Sequence, residues 1–270
     1  MIQRKELKMY QVAAFAGAPF TGNPAAVCLL EEWLPDRLLQ NIAAENNLSE
    51  TAFLVGNDSG YELRWFTPKV EVDLCGHATL ASAHIIFEAL SPGRDLSSVC
   101  FQTRSGELWV ERRDDMLMMD FPAMPPSECQ PPLGLTDALG LAPAVTARVK
   151  GFLLCMYDSA RQVTCLRPDF AALGRIEADL VIVTAMGDSH SHDFISRAFA
   201  PRLGVDEDPV TGSAHCALVP YWSARLGKDR LRAFQASRRG GELYCALDGD
   251  RVSIGGRAVT YLVGRIFVCC

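Results

Sequence analysis

Three short stretches carry residues able to move a proton on a small anion. Asn47-Leu-Ser-Glu-Thr51 places Glu50 where a helical pattern gives way to a strand pattern. Asp73-Leu-Cys-Gly-His77 and Asp206-Glu-Asp-Pro-Val-Thr-Gly-Ser-Ala-His215 each run from acidic residues into a glycine that opens an apolar helix. A helix start offers unpaired N–H groups and about half a positive charge, and a glycine there lets an anion approach the backbone. A carboxyl group in an enclosed site is pushed towards neutrality, which suits a general acid/base. A thiol such as Cys75 at a helix start is a candidate thiolate, against the alternative of a simple buried thiol. Local capping by side chains is the competing explanation for both helix starts.

The two glycine starts belong to a larger repeat. Arg64-Trp-Phe-Thr-Pro68 is echoed by Arg197-Ala-Phe-Ala-Pro201, and Gly76-His-Ala78 by Gly212-Ser-Ala214. Phe101-Gln102 and Gly106-Glu-Leu-Trp109 are echoed by Phe234-Gln235 and Gly241-Glu-Leu-Tyr244. The order is kept, at a near-constant offset of about half the chain. The second copy is three residues longer between its proline and its glycine. The pattern predicts two similar halves, 1–125 and 126–270, each a curved sheet around one buried helix (76–90 and 212–226). If the halves face each other, the helix starts converge on one cleft suited to a small carboxylate.

The elements that must position these residues are legible in outline. Tyr10–Phe15 and Ala25–Leu30 read as strands. Pro35-Asp36 opens a helix with apolar residues at helical spacing, closed by Asn46-Asn47. Thr51–Val55, Glu62–Phe66, Val99–Thr103, Glu107–Glu111 and Met116–Asp120 follow as strands, and Pro122–Pro132 reads as a linker. Gly76–Leu90 is almost uncharged, as expected of an enclosed helix. Thr260–Val268 reads as a last strand able to pack back on the first half.

Composition narrows the functional classes. The 270 residues are 49% hydrophobic and 21% charged, with a formal charge of −6. That gives no basic footprint for nucleic acid and no attraction to an anionic membrane. Apolar runs are too short for a spanning helix, and the N-terminus does not read as a signal peptide. The ten cysteines are scattered without a C-x-x-C pair, so a reduced cytoplasmic setting is expected, with most of them buried. His190 and His192 have metal-like spacing without an evident third ligand and read as a solvated loop, so no metal is expected. His84 reads as a core residue and Cys269-Cys270 as a tail feature.

Gly22-Asn-Pro-Ala-Ala-Val27, Asn47-Leu-Ser-Glu-Thr-Ala-Phe53, Leu63-Arg-Trp-Phe-Thr-Pro68, Leu74-Cys-Gly-His-Ala-Thr-Leu-Ala81, Glu207-Asp-Pro-Val-Thr-Gly-Ser-Ala-His215 and Ala233-Phe-Gln-Ala-Ser-Arg-Arg-Gly-Gly-Glu-Leu243 together resemble the phenazine-biosynthesis PhzF-like family. The resemblance spans nearly the whole chain and is weakest over Pro122–Asp193. It implies an α+β, diaminopimelate-epimerase-like fold with the site between two pseudo-symmetric halves. It implies a cofactor-independent isomerase of a small carboxylated metabolite, and a homodimer. It carries the acid/base role to Glu50 and assisting roles to His77 and Asp208. Gly76, Gly212 and Ser213 fall at the substrate-binding helix starts, with Cys75 beside them. A related branch of racemases uses two cysteines; here Thr211 stands where the second would be, which argues against a two-thiol racemase. An unlike pair of Cys75 and Glu50, or a binding scaffold without chemistry, are the alternatives. Ala13 stands where the family has an aspartate, so a substrate shared with the relatives does not follow.

Overall fold

The computed structural model describes residues 4–57, 60–91, 96–188 and 191–269. They form two compact units. One runs to Asp120 and takes in the chain from Gly255 onward; the other is Phe121–Ile254.

The first unit contains β1 (Arg4–Ala14), β2 (Asn23–Leu30), α1 (Asp36–Asn46), β3 (Glu50–Asn57), β4 (Gly60–Phe66), β5 (Glu71–Val72), α2 (Gly76–Ile85), β6 (Ser98–Thr103), β7 (Gly106–Arg113) and β8 (Met116–Pro122). β1 pairs antiparallel with β2, β2 parallel with β3, β3 antiparallel with β4, and β4 parallel with β6. A parallel pair needs a crossover, and α1 and α2 supply the two here. α2 packs against β1, β2 and β3, so its whole circumference is enclosed. That accounts for its uniform run of Ala, Leu, Ser and Thr, in which Thr79 and Ser82 donate back to the Cys75 and Ala78 carbonyls. The expected helix over 76–90 changes character after Ile85. Ile86–Leu90 is a π-turn, closed by the Ser91 N–H on the Ile86 carbonyl, where small residues give way to Ile85-Ile86-Phe87.

The second unit repeats this order with β9 (Ser127–Glu128), α3 (Leu135–Leu139), β10 (Val145–Val149), β11 (Phe152–Met156), α4 (Ala160–Cys165), α5 (Phe170–Leu173), β12 (Leu180–Met186), β13 (Phe194–Ala200), β14 (Val205–Asp208), α6 (Gly212–Leu226), β15 (Arg230–Gln235), β16 (Gly241–Asp248) and β17 (Arg251–Gly256). β10–β11 is antiparallel, β11–β12 parallel, β12–β13 antiparallel and β13–β15 parallel across α6. α6 keeps a proline in its interior. Pro220 cannot donate to the Cys216 carbonyl four residues back, and the Met124 N–H takes that acceptor instead. The proline-rich stretch expected as a linker therefore includes a residue bonded to α6, together with strand β9. Finally β18 (Ala258–Cys269) returns to the first unit and pairs antiparallel with β1.

One side-chain device is duplicated. Arg64 on β4 grips Glu71 through Nε and Nη2, both at 2.7 Å. Arg197 on β13 grips Glu207 the same way, at 2.7 and 3.0 Å. The second copy, longer between its proline and its glycine, turns through the 3-10 segment Pro201–Leu203 and keeps the same grip.

Asn47 closes α1 in the left-handed conformation, φ 48 and ψ 36, with its N–H on the Ala43 carbonyl. This turn sends the chain into β3 at Glu50. A β-branched residue resists that conformation, so Asn47→Val should cost about 1–2 kcal/mol and Asn47→Gly almost nothing. Urea denaturation of the two variants checks this.

Candidate active site

Glu50 opens β3, beside Ala25 of β2 in the parallel register. Cys75 is the N-cap residue of α2, and His77 lies in its first turn. These three sequence-predicted residues come together. His77 Nε2 lies 3.1 Å from Glu50 Oε2. Cys75 Sγ lies 3.5 Å from His77 Nδ1 on the other side of the ring. The His77–Glu50 contact is close but not an aligned hydrogen bond. Glu50 Oε2 and His77 Nε2 are both buried with no hydrogen-bond partner among the described residues. Buried polar atoms left in this state are uncommon and call for an explanation, a catalytic role among them.

Asn23, absent from the sequence-based assignments, completes the cluster. It is fully buried, and its Nδ2 lies 3.3 Å from His77 Nδ1. Gly22 makes the approach possible. Its φ is +66, and a Cβ there would run into the Ala14 carbonyl oxygen and the Ala16 side chain. The available signal was a single amide at the head of an otherwise apolar strand. Ala13 is buried on β1 opposite Pro24, next to the Ala14–Asn23 pair.

Electrostatics divide the residues. Burial, reinforced by Glu50, pushes the Cys75 thiol above its ordinary value against the smaller opposing pull of His77. Of the two readings open for Cys75, a helix-start thiolate and a simple buried thiol, this direction favours the buried thiol, because desolvation outweighs the helix end. Burial works against a charge on His77 too, but its neighbours Cys75 and Glu50 prevail and hold its pKa well above the usual histidine value. With the thiol neutral near pH 7, Glu50 is the partner that favours the imidazolium.

In the second unit the predicted residues form a different arrangement. Asp208 ends β14 and accepts from the Thr211 hydroxyl at 2.6 Å. Thr211 is the N-cap residue of α6, the counterpart of Cys75. Gln235, also unassigned from sequence, is fully buried. It accepts from the Thr211 N–H at 2.8 Å and donates to the Asp208 carbonyl at 2.8 Å, holding the loop that leads to Gly212 and Ser213. Gly212 is buried and Ser213 half-buried at the start of α6. Neither central helix is capped by its N-cap side chain, whereas α4 carries a full capping box from Ser159 and α5 is capped by Asp169. Local capping, the competing explanation for both starts, is thus absent at the N-cap position.

His215 in the next turn donates Nδ1–H to the Thr211 carbonyl at 2.9 Å, and burial lowers its pKa to about 4. The two buried histidines should titrate in opposite senses. His215 stays neutral, as the Nδ1–H tautomer, down to about pH 4. It opposes stability as pH falls below its unfolded value, because only the unfolded chain then takes the proton. His77 stays protonated above its unfolded value, so its stabilising contribution is complete at lower pH and fades as pH rises through the raised pKa. Nitrogen-15 NMR titration of the imidazoles checks both directions.

Of the remaining candidates, His192 pairs with Glu242 at 3.3 Å, while His190 lies outside the described residues. His84 contacts Thr260 at 2.9 Å and is partly buried. Cys269 is exposed, and Cys270 lies outside the described residues. The described cysteines are free thiols, and Cys28, Cys75, Cys155, Cys216 and Cys245 are buried. Among the described residues no helix is long and apolar enough to cross a membrane.

Residues 12–264 match the family model described as phenazine biosynthesis-like protein. The chain belongs to the phenazine biosynthesis-like family. An uncharacterized isomerase of Pseudomonas aeruginosa is 54% identical over 97% of this chain and 98% of its own length. A phenazine biosynthesis-like domain-containing protein of Mus musculus is 40% identical, over 97% of this chain and 99% of its own. The crystal structure of a PhzF family protein from Enterococcus faecalis superposes with a TM-score of 0.94 at 43% identity, covering 98% of this chain and all of that one. The fold is accordingly the α+β, diaminopimelate-epimerase-like fold expected from the sequence, and this family member is an isomerase.

Proposed function

We propose that this phenazine biosynthesis-like isomerase moves a proton between two positions of a small carboxylated metabolite, with Glu50 as the acid/base. The observation that supports this most is the unsatisfied pair of Glu50 Oε2 and His77 Nε2, buried 3.1 Å apart beside the uncapped start of α2. The backbone N–H groups at Gly76 and His77 suit the substrate carboxylate and the negative charge that develops as the proton leaves. Glu50 takes the proton from an activated carbon and returns it elsewhere on the same molecule. The balance closes without a second reactant, so no cofactor is assigned. His77 orients the carboxylate of Glu50, and Asn23 orients His77. Asp208, Gly212 and Ser213 are assigned to substrate binding on the family resemblance and the repeat.

A second reading, an epimerase pairing Cys75 with Glu50, is disfavoured by the cluster itself. Two groups that work on opposite faces of one carbon stand roughly 6–7 Å apart, each at its attack distance of about 3–3.5 Å. The donor atoms of Glu50, Cys75 and His77 lie within 4.8 Å of one another.

The test is incubation of the protein with a panel of small unsaturated and amino-substituted carboxylates in heavy water. Position-specific deuterium uptake with isomerisation of a panel member is the expected result. Absence of exchange and isomerisation across the panel would remove most of the support.

A further inference from the structure

We infer that Glu50, Cys75 and His77 also form a binding site for a soft divalent cation, zinc foremost, whose occupation switches the isomerase off. The switching part rests on the role proposed for Glu50; the site itself does not. One carboxylate oxygen, one thiol sulfur and one imidazole nitrogen can be chosen that all lie within 4.8 Å of one another. Sulfur, nitrogen and oxygen are the donor set that zinc takes, at about 2.0–2.3 Å each, which places donors roughly 3–4 Å apart across the ion. Cys75 Sγ and His77 Nδ1 already stand 3.5 Å apart, and His77 Nε2 and Glu50 Oε2 3.1 Å apart. These two contacts use opposite nitrogens of the ring, so an ion bound through one of them needs the third donor to swing towards it from within 4.8 Å. Glu50 can provide that movement, because its side chain is the most exposed of the three, at 18% against 6% for His77.

Independent of donor type, Glu50 Oε2 and His77 Nε2 are buried and, apart from their own 3.1 Å contact, have no hydrogen-bond partner among the described residues. An ion held by the carboxylate satisfies one of them, and it satisfies both when the imidazole binds through Nε2. Three protein ligands leave a fourth position open for water, as in catalytic zinc sites. On binding, the thiol gives up its proton and the imidazole binds through an unprotonated nitrogen; the displaced protons pass to water, and no redox step is involved. The bound ion then occupies the carboxylate lone pairs that Glu50 uses on substrate and takes away the imidazole that orients them. Sequence spacing concealed this set, because Glu50 comes from a strand far upstream of the Cys75-Gly-His77 pair.

The experiment is cobalt(II) titration of the full chain without substrate, read by its thiolate-to-metal charge-transfer absorption. One equivalent should produce the band, zinc should displace it, and Cys75→Ser should abolish it, while Cys165→Ser, at an exposed cysteine, should leave it intact. Should Cys75→Ser not fold, His77→Gln must weaken cobalt binding at least tenfold. No stoichiometric band, or a band unchanged in Cys75→Ser, overturns the site and leaves the proton-transfer role of Glu50 standing. Zinc binding at the site with deuterium exchange undiminished overturns the switch and counts against that role.

Discussion

Glu50→Gln should yield a folded protein whose isomerase activity is lower by about 10²–10⁴-fold, the usual contribution of a positioned acid/base. The substitution keeps the size of the side chain and removes its charge and its ability to exchange a proton. The backbone of Glu50 stays at the head of β3 beside Ala25, so the strand does not depend on the carboxylate. Its removal also takes away the negative partner of a buried imidazole 3.1 Å away, so the pKa of His77 should fall in the same variant. Glu50→Asp keeps the carboxylate but draws it back by one methylene, and should retain a fraction of the rate. Turnover of the substrate found by the heavy-water screen, with circular dichroism to confirm folding, measures both variants, and nitrogen-15 NMR titration follows His77. A Glu50→Gln enzyme with near-normal turnover would transfer the acid/base role elsewhere.

The second large effect concerns stability. Arg197 is 8% exposed, grips Glu207 bidentately and donates Nη1 to the Val163 and Leu166 carbonyls. Arg197→Ala strands a largely buried carboxylate and two carbonyls, and should cost about 3–5 kcal/mol. The counterpart Arg64→Ala should cost distinctly less. Arg104 stays 2.8 Å from Glu71 after the change and keeps it paired. Arg64 is also the more exposed of the two, 16% against 9% by side chain, so water can replace part of what is lost. Urea denaturation of both variants gives the comparison. Equal losses would mean that Arg104 does not compensate.

Local chemistry was the part of this molecule most readable in the sequence. The helix-ending Asn46-Asn47 stands where α1 stops, and the glycine openings stand where α2 and α6 begin. The internal repeat was visible because Arg64 and Arg197 serve the same grip, and their spacing to Glu71 and Glu207 differs only by the inserted turn. What escaped was anything set by packing across distant strands. Asn23 and Gln235 act through contacts with residues far along the chain, which no local spacing encodes. Whether Cys75 is a thiolate or a buried thiol could not be decided locally for the same reason. A helix end is readable locally, whereas the burial that outweighs it is a property of the folded unit. The π-turn after Ile85 depends likewise on how a bulky apolar run fits its surroundings.

The central claim is that Glu50 faces the reacting carbon of a carboxylate held at the start of α2. It is tested most directly by a crystal structure of the protein with a substrate or product from the heavy-water screen. The account predicts carboxylate oxygens at the Gly76 and His77 amides and a substrate carbon within about 3–3.5 Å of a Glu50 carboxylate oxygen. A ligand bound away from α2, or a Glu50 side chain turned from the bound carbon, would contradict it.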